Sequence, residues 1–155
     1  MEPNEIQTAV ASAVEEVLET MCFTAVLASA EGAVAPQQDR EAAMLAVAVN
    51  FQGSPSGSFR VAVPMKLARV VGAAFLGKEE GEASDSQAQE VICELANMIC
   101  GSTLSRLEST ATFRITHPEL TPFDPGAGFD GSGICRWFDL GDGFLVTCLQ
   151  LQQPI

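Results

Sequence analysis

The chain has 155 residues, of which 47 % are hydrophobic, and it carries a net charge of −12 with only eight lysines and arginines. That length and apolar content predict one folded domain over residues 1–155 and exclude a disordered chain. The basic residues are scattered singly, which argues against a nucleic-acid groove or an anionic membrane as partner. The acidic balance fits a partner with a basic or metal-loaded surface, although many soluble proteins are simply acidic.

The first part of the chain is predicted to fold as one helix followed by three strands. Apolar residues recur three and four positions apart over residues 4–21, which is the spacing of an amphipathic helix. A cluster of glycine, serine and proline at 53–57 predicts a turn between two β-rich runs, and hence a hairpin. The predicted elements are a helix at 4–21 and strands at 22–30, 42–51 and 58–63.

The second part is predicted to contain two helices and three further strands. Pro64 suits the first turn of a helix and Gly77 its end. An acidic loop then leads to a second helix at 87–108, which either Ser84 with Gln87 or Ser86 with Gln89 could cap. The remaining strands are predicted at 111–116, 133–140 and 143–151. The resulting order is α-β-β-β-α-α-β-β-β.

The helix predicted at 87–108 is apolar on most sides and carries one narrow polar stripe. A surface helix normally shows the reverse pattern, so we expect this helix to be packed on several sides and to present one face. The stripe consists of Gln87, Glu90, Glu94, Asn97, Gly101, Ser105 and Glu108.

Three residues of the stripe give it a possible chemistry. Glu94 and Asn97 are three positions apart, so their side chains project from one face and can contact the same partner surface. We expect Asn97 to be exposed, so that replacing it leaves folding intact. Gly101 lies one turn later and lets another surface approach closely. By spacing alone, an ordinary solvated helix face is the favoured explanation of the stripe.

The five cysteines are interpreted as small buried side chains in a reducing compartment. Their number is odd, no two are spaced as C-x-x-C, and the single histidine, His117, is far from each of them in sequence. We therefore expect neither disulfides nor a metal site. The first residues lack the layout of a signal peptide, and no apolar run approaches the length of a membrane span. These features predict a cytoplasmic protein.

The run E-V-I-C-E-L-A-N-M-I-C-G at 90–101 resembles the signature helix of the CheC/CheX/FliY family of chemotaxis phosphatases, and it is most similar to the CheX branch. The run V-E-E-V-L-E-T-M at 14–21 resembles an early segment of CheX-like proteins. The resemblance covers about residues 5–150. It implies an α+β fold of long helices packed on an antiparallel sheet, often paired as a homodimer.

The resemblance also implies an activity, which is removal of phosphate from the phosphoaspartate of a CheY-like response regulator. Asn97 matches the family asparagine that orients the attacking water, and Glu94 matches the glutamate that pairs with the regulator's lysine. We expect Glu90, Gly101 and Ser105 to contact the same partner. The resemblance implies no cofactor of the chain's own, because the receiver domain carries the Mg²⁺.

Two alternatives to a phosphatase remain open. The chain could be a CheX-like module that binds a receiver or another signalling protein without catalysis. It could also be a structural protein whose stripe mediates assembly. Glu19 stands in the first helix where a second site would need an asparagine, so we expect one active site per chain.

Overall fold

Three helices lie against one face of an antiparallel sheet in the computed structural model, which describes residues 1–36, 40–131 and 133–152. The helices are α1 (Pro3–Cys22), α2 (Met65–Leu76) and α3 (Asp85–Leu107). The strands are β1 (Ala28–Glu31), β2 (Met44–Gln52), β3 (Gly57–Pro64), β4 (Arg114–Ile115), β5 (Glu119–Leu120), β6 (Ile134–Asp139) and β7 (Phe144–Leu151). The predicted α+β class and element order are confirmed, with the short β5 added inside a predicted loop.

The sheet has the strand order β1-β6-β7-β3-β2-β4, and β5 pairs with β2 as well. The predicted hairpin is present as β2 and β3, with Met44 opposite Pro64 and Phe51 opposite Gly57. A second hairpin joins β6 to β7, and β7 pairs with β3 at the centre of the sheet. Each strand therefore has one set of alternating side chains under the helices and one set on the opposite face.

The main core lies between the helices and the sheet. Large apolar side chains of the central strands, such as Val47, Phe59 and Leu145, point into it and are fully buried. The opposite face of the sheet has smaller side chains, which Phe129 from the 121–131 loop covers. Among the described residues, no helix combines the length and the apolar character needed to cross a membrane.

Helix α3 is held on three sides, as its apolar surface predicts. It packs against α1 on one side, α2 on the other and the strands β2 and β3 beneath. The contact with α2 is close at Gly72, where an added Cβ would lie 3.3 Å from the Cα of Ala88. Of the two predicted caps, Ser84 with Gln87 forms: the Ser84 hydroxyl accepts from the Gln87 amide and the Gln87 side chain accepts from the Ser84 amide.

The strand predicted at 22–30 is wrong over residues 22–27, because β1 begins at Ala28. Helix α1 continues to Cys22 and ends at Phe23, which adopts a left-handed conformation with φ of 52°. The chain first meets the sheet at Leu27, whose amide donates to the carbonyl of Asp139. The helix therefore takes only Cys22 of the predicted strand, and residues 23–27 connect the helix to β1. The strand predicted at 111–116 is likewise reduced to the two residues of β4.

The prediction that all five cysteines are free thiols is also wrong. Cys135 of β6 and Cys148 of β7 are directly opposite each other in the sheet register and form a disulfide. The register brings the two side chains together on the sheet face away from the helices. Cys22, Cys93 and Cys100 are free, and burial raises the pKa of both Cys22 and Cys100 to about 12.

Candidate functional site

The predicted polar stripe is the side of α3 that faces away from the core. Glu90, Glu94 and Ser105 are exposed, and Gly101 is half-buried. Among the described residues, the Glu94 carboxylate has no hydrogen-bond or ion-pair partner. Its charge is therefore available to a cation on another molecule. Glu94 and Asn97 stand one turn apart on this surface, with Cβ atoms about 5–6 Å apart as expected for that spacing.

Asn97 is not exposed as predicted, because it is half-buried and its Oδ1 atom is covered. No described residue donates a hydrogen bond to that oxygen. A buried polar atom without a partner costs about 1–3 kcal/mol of folding free energy. The amide therefore retains unused hydrogen-bonding capacity, which a bound molecule could satisfy.

Asn97 lines a groove of about 530 Å³ whose other wall is the segment 114–117. Backbone pairing fixes this wall to the end of β2, where Ile115 is opposite Phe51. Thr116 extends the attachment, since its amide donates to the Asn50 carbonyl at 2.8 Å and its hydroxyl accepts from the Asn50 amide at 3.1 Å. The groove thus lies between a packed helix and a pinned edge segment.

Gly101 is covered in part by the protein itself. A Cβ added at Gly101 would lie 3.7 Å from the Cδ1 atom of Ile115, which is ordinary van der Waals contact. The close approach that a glycine permits is therefore made by β4. Contact of a partner with Gly101 stays a prediction, as do such contacts for Glu90 and Ser105.

The groove is lined by Asn97 on the helix side and by one permanent positive charge, Arg114, on the wall 114–117. Glu90 and Glu94 are exposed on α3 outside the groove lining. Cys93 lies between the acidic residues and the core, and its pKa is raised by burial and by the charge of Glu90, which keeps the thiol neutral. The sequence analysis missed the basic wall, because β4 reaches Asn97 only through its pairing with β2.

The corresponding surface of α1 is arranged differently. Glu16 pairs with Arg106 of α3, and Glu19 is exposed. A pair of carboxylates cannot supply the neutral donor and acceptor that an amide provides. This surface therefore lacks the combination of groups that α3 carries.

Among the described residues, the groove is lined by an amide and by polar or charged side chains, which can bind and orient another molecule, and not by a cysteine or serine nucleophile. In the described ranges, no three His, Cys, Asp or Glu residues are grouped so that they could hold a metal ion. A larger cavity of about 630 Å³ lies between the first half of α1 and the C-terminal end of α3, where Asn4 and Arg106 line it. Asn97 does not line this cavity. An amide beside a free carboxylate can position a water molecule and bind a cation.

One family model matches this chain, and several solved structures share its fold. The family model described as "Chemotaxis phosphatase CheX" matches residues 45–122, which is half of the chain. A chemotaxis protein CheX from Desulfovibrio desulfuricans is 21 % identical, with a TM-score of 0.70 over 96 % of this chain and 99 % of that one. No curated protein matches significantly.

Two further structures extend this similarity. The CheX of a CheX-CheY-BeF₃-Mg²⁺ complex from Borrelia burgdorferi is 18 % identical, with a TM-score of 0.68 over 94 % of this chain and 97 % of that one. Thermotoga maritima FliY is 13 % identical, with a TM-score of 0.60 over 97 % and 91 % of the two chains. At these identities the structures establish a shared fold.

Proposed function

The chain belongs to the CheX family of chemotaxis phosphatases, and from that premise we propose that it hydrolyses the phosphoaspartate of a CheY-like receiver domain. The observation that carries this proposal is the Asn97 amide, which lies unpartnered in a groove one helical turn from the free carboxylate of Glu94. The receiver would supply the phosphoryl group, the Mg²⁺ and a lysine, and this chain would supply the orientation of water.

The reaction needs little from the protein besides positioning. The oxygen of a water molecule bonds to phosphorus as the bond from phosphorus to the aspartate oxygen breaks, which leaves a carboxylate and inorganic phosphate, and the water's protons pass to the phosphate and the solvent. Such phosphoryl transfers depend mainly on alignment and charge stabilisation. The Asn97 amide can donate a hydrogen bond toward the phosphoryl group, and its oxygen, which is covered in the free protein, can accept one from the water once the side chain rotates on docking.

Glu94 would fix the orientation of docking. Its exposed and unpaired carboxylate can form a charge-assisted hydrogen bond with the receiver's lysine. The net charge of −12 would add long-range attraction toward a basic residue on the partner. Glu90, Gly101 and Ser105 border the pair and would complete the contact.

The same reading gives one active site per chain, on α3. On α1, Glu16 is already paired with Arg106, and Glu19 is a carboxylate that would repel a phosphoryl group. We further propose that the protein acts in the cytoplasm as a homodimer, with the receiver's Mg²⁺ as the metal at the site.

The test is the decay of acyl phosphate on a panel of CheY-like receivers that includes CheY of Borrelia burgdorferi. Wild type should accelerate the decay, Asn97→Ala should not, and Asn4→Ala in α1 should behave as wild type. Full activity of Asn97→Ala would contradict the assigned role. Binding of a receiver without faster decay would instead assign a non-catalytic binding module. A change of oligomeric state in Glu94→Lys, measured by light scattering, would point to an assembly surface.

A further inference from the structure

We propose that Arg114 is a specificity-determining contact that binds an acidic side chain beside the receiver's phosphorylation site. This inference rests on the proposed function, because it concerns the partner that docks on α3. The observation behind it is the position of an exposed, unpaired arginine on the wall of the groove that Asn97 lines.

The wall is held firmly enough to present a side chain in a defined place. Ile115 pairs with Phe51 in the sheet and packs over Gly101 of α3. Phe113, just before the wall, stacks edge-on against Phe51 with ring centroids 6.1 Å apart. Arg114 is therefore attached to both the sheet and the site helix, and its position relative to Asn97 is set by the fold.

Arg114 differs from most of the other arginines, whose side chains already form hydrogen bonds or ion pairs within the protein. Arg69 pairs with Asp85 and Arg106 with Glu16, while Arg60 donates to the Asp130 carbonyl and Arg136 to Ser29. Arg114 makes no side-chain hydrogen bond or ion pair within the described ranges. The net charge of the chain is −12, so an unpaired guanidinium beside the site places a positive charge on an otherwise acidic protein.

The chemistry of the occupant follows from this positive charge and from the exposed carboxylate of Glu94, one helical turn from Asn97 on α3. Glu94 can take a cation of the docked protein, and Arg114 on the other wall can take a carboxylate, for which its planar fork is well suited. Two contacts of opposite sign, one from α3 and one from β4, favour one orientation of the partner over the reversed one. Receivers would then be distinguished by whether an acidic residue lies at the matching position.

The experiment compares Arg114→Gln and Arg114→Glu with the matched changes at Arg40. Arg40 is exposed and its guanidinium lies near Gly126, in the loop that covers the opposite face of the sheet. Steady-state phosphate release is measured against receiver concentration at low and at physiological salt. We expect KM to rise about 5–10-fold in Arg114→Gln, and further in Arg114→Glu, with kcat within about twofold and a weaker dependence on salt. The Arg40 variants should match wild type.

Two results would overturn the inference while leaving the proposed function intact. Arg114→Glu with wild-type KM and salt dependence would mean that the arginine does not contact the partner. A fall in kcat at constant KM would mean that it acts on the transferred phosphoryl group instead. If wild type accelerates decay on no receiver, the proposed function fails and this inference fails with it. Urea unfolding midpoints equal to wild type would confirm that the variants fold.

Discussion

Ile115 packs against Gly101, with its Cδ1 atom 3.7 Å from the position that a Cβ on the glycine would occupy. This contact joins the edge segment to the site helix. The two walls of the groove are therefore one packed unit, and the width of the groove at Asn97 depends on the size of residue 101.

Substitutions at Gly101 should separate folding from activity. Gly101→Ala adds a methyl group at normal contact distance and removes a helix-disfavouring glycine, so we expect the free energy of unfolding to rise by about 0.5–1 kcal/mol. Gly101→Leu should displace Ile115 and with it the wall. Phosphate release should then fall at least about tenfold, in line with the sensitivity of catalysis to small misplacements.

The two variants are measured side by side by urea unfolding and phosphate release. Gly101→Ala serves as the control for the loss of the glycine itself. A Gly101→Leu protein with full activity would show that the position of β4 does not matter to the site.

Asn97→Ala should stabilise the protein while it abolishes activity. The substitution removes the covered Oδ1 atom that has no partner and places a better helix former in the middle of α3. We expect the free energy of unfolding to rise by about 1 kcal/mol, measured by urea titration. Asn4→Ala, at an exposed helical position, should change it by no more than about 0.5 kcal/mol. A loss of stability in Asn97→Ala would mean that the amide is bonded in the free protein.

Reduction of the disulfide between Cys135 and Cys148 should weaken folding without affecting the site. The bridge closes a loop with a sequence separation of 13, for which chain entropy predicts about 2–3 kcal/mol of stabilisation. Urea unfolding with and without reductant measures this difference, and Cys135→Ala should lose the response. Phosphate release should be unchanged, because the bridge lies on the sheet face away from α3. Strong inhibition by reductant would contradict that separation.

Alkaline pH should destabilise the protein through its buried thiols. Burial raises the folded-state pKa of Cys22 and Cys100 from the ordinary 9.0 to about 12. In the unfolded chain these thiols lose their protons first, so stability is complete below pH 9 and falls as the pH rises toward 12. Each thiol should contribute a slope of about 1.4 kcal/mol per pH unit in this range.

The measurement is the free energy of unfolding between pH 8 and 11. Cys100→Ala should lower the free energy of unfolding by the same amount at every pH, because packing is lost. Above pH 9, the free energy of unfolding should fall less steeply with pH in this variant than in wild type. Parallel curves for the two proteins would show that the Cys100 thiol is not shielded from ionisation.

The helices were predicted well because apolar spacing and capping residues, which indicate a helix, lie within the helical segment itself. The polar stripe marked the exposed side of α3, and Ser84 with Gln87 marked its start. The end of α1 was predicted to within one residue, but the start of β1 was not, since the chain meets the sheet only at Leu27. The half-buried state of Asn97 was missed for a related reason, because Ile115 and its neighbours arrive from a different part of the chain.

The disulfide and the basic wall depend on pairing between distant segments. Cys135 and Cys148 lie at nearly equal distances on either side of the turn at Gly141, so the predicted hairpin itself contained the signal for their pairing. The place of Arg114 beside Asn97 had no such signal. It follows from two residue pairs at the end of β2, a register that no local pattern specifies.

The packing of α3 on three sides has a consequence for how such a protein acquires a new partner. Most positions of this helix are committed to the core, so a change that suits another receiver would often unfold the protein. Within the segment 114–117, Ile115 packs against the core, whereas Arg114, Thr116 and His117 carry exposed side chains at the groove. Under the proposed function, recognition can therefore diversify at these exposed positions while α3, which carries Asn97 and Glu94, stays constant. Grafting the exposed residues of this segment between relatives is then a direct way to change the partner.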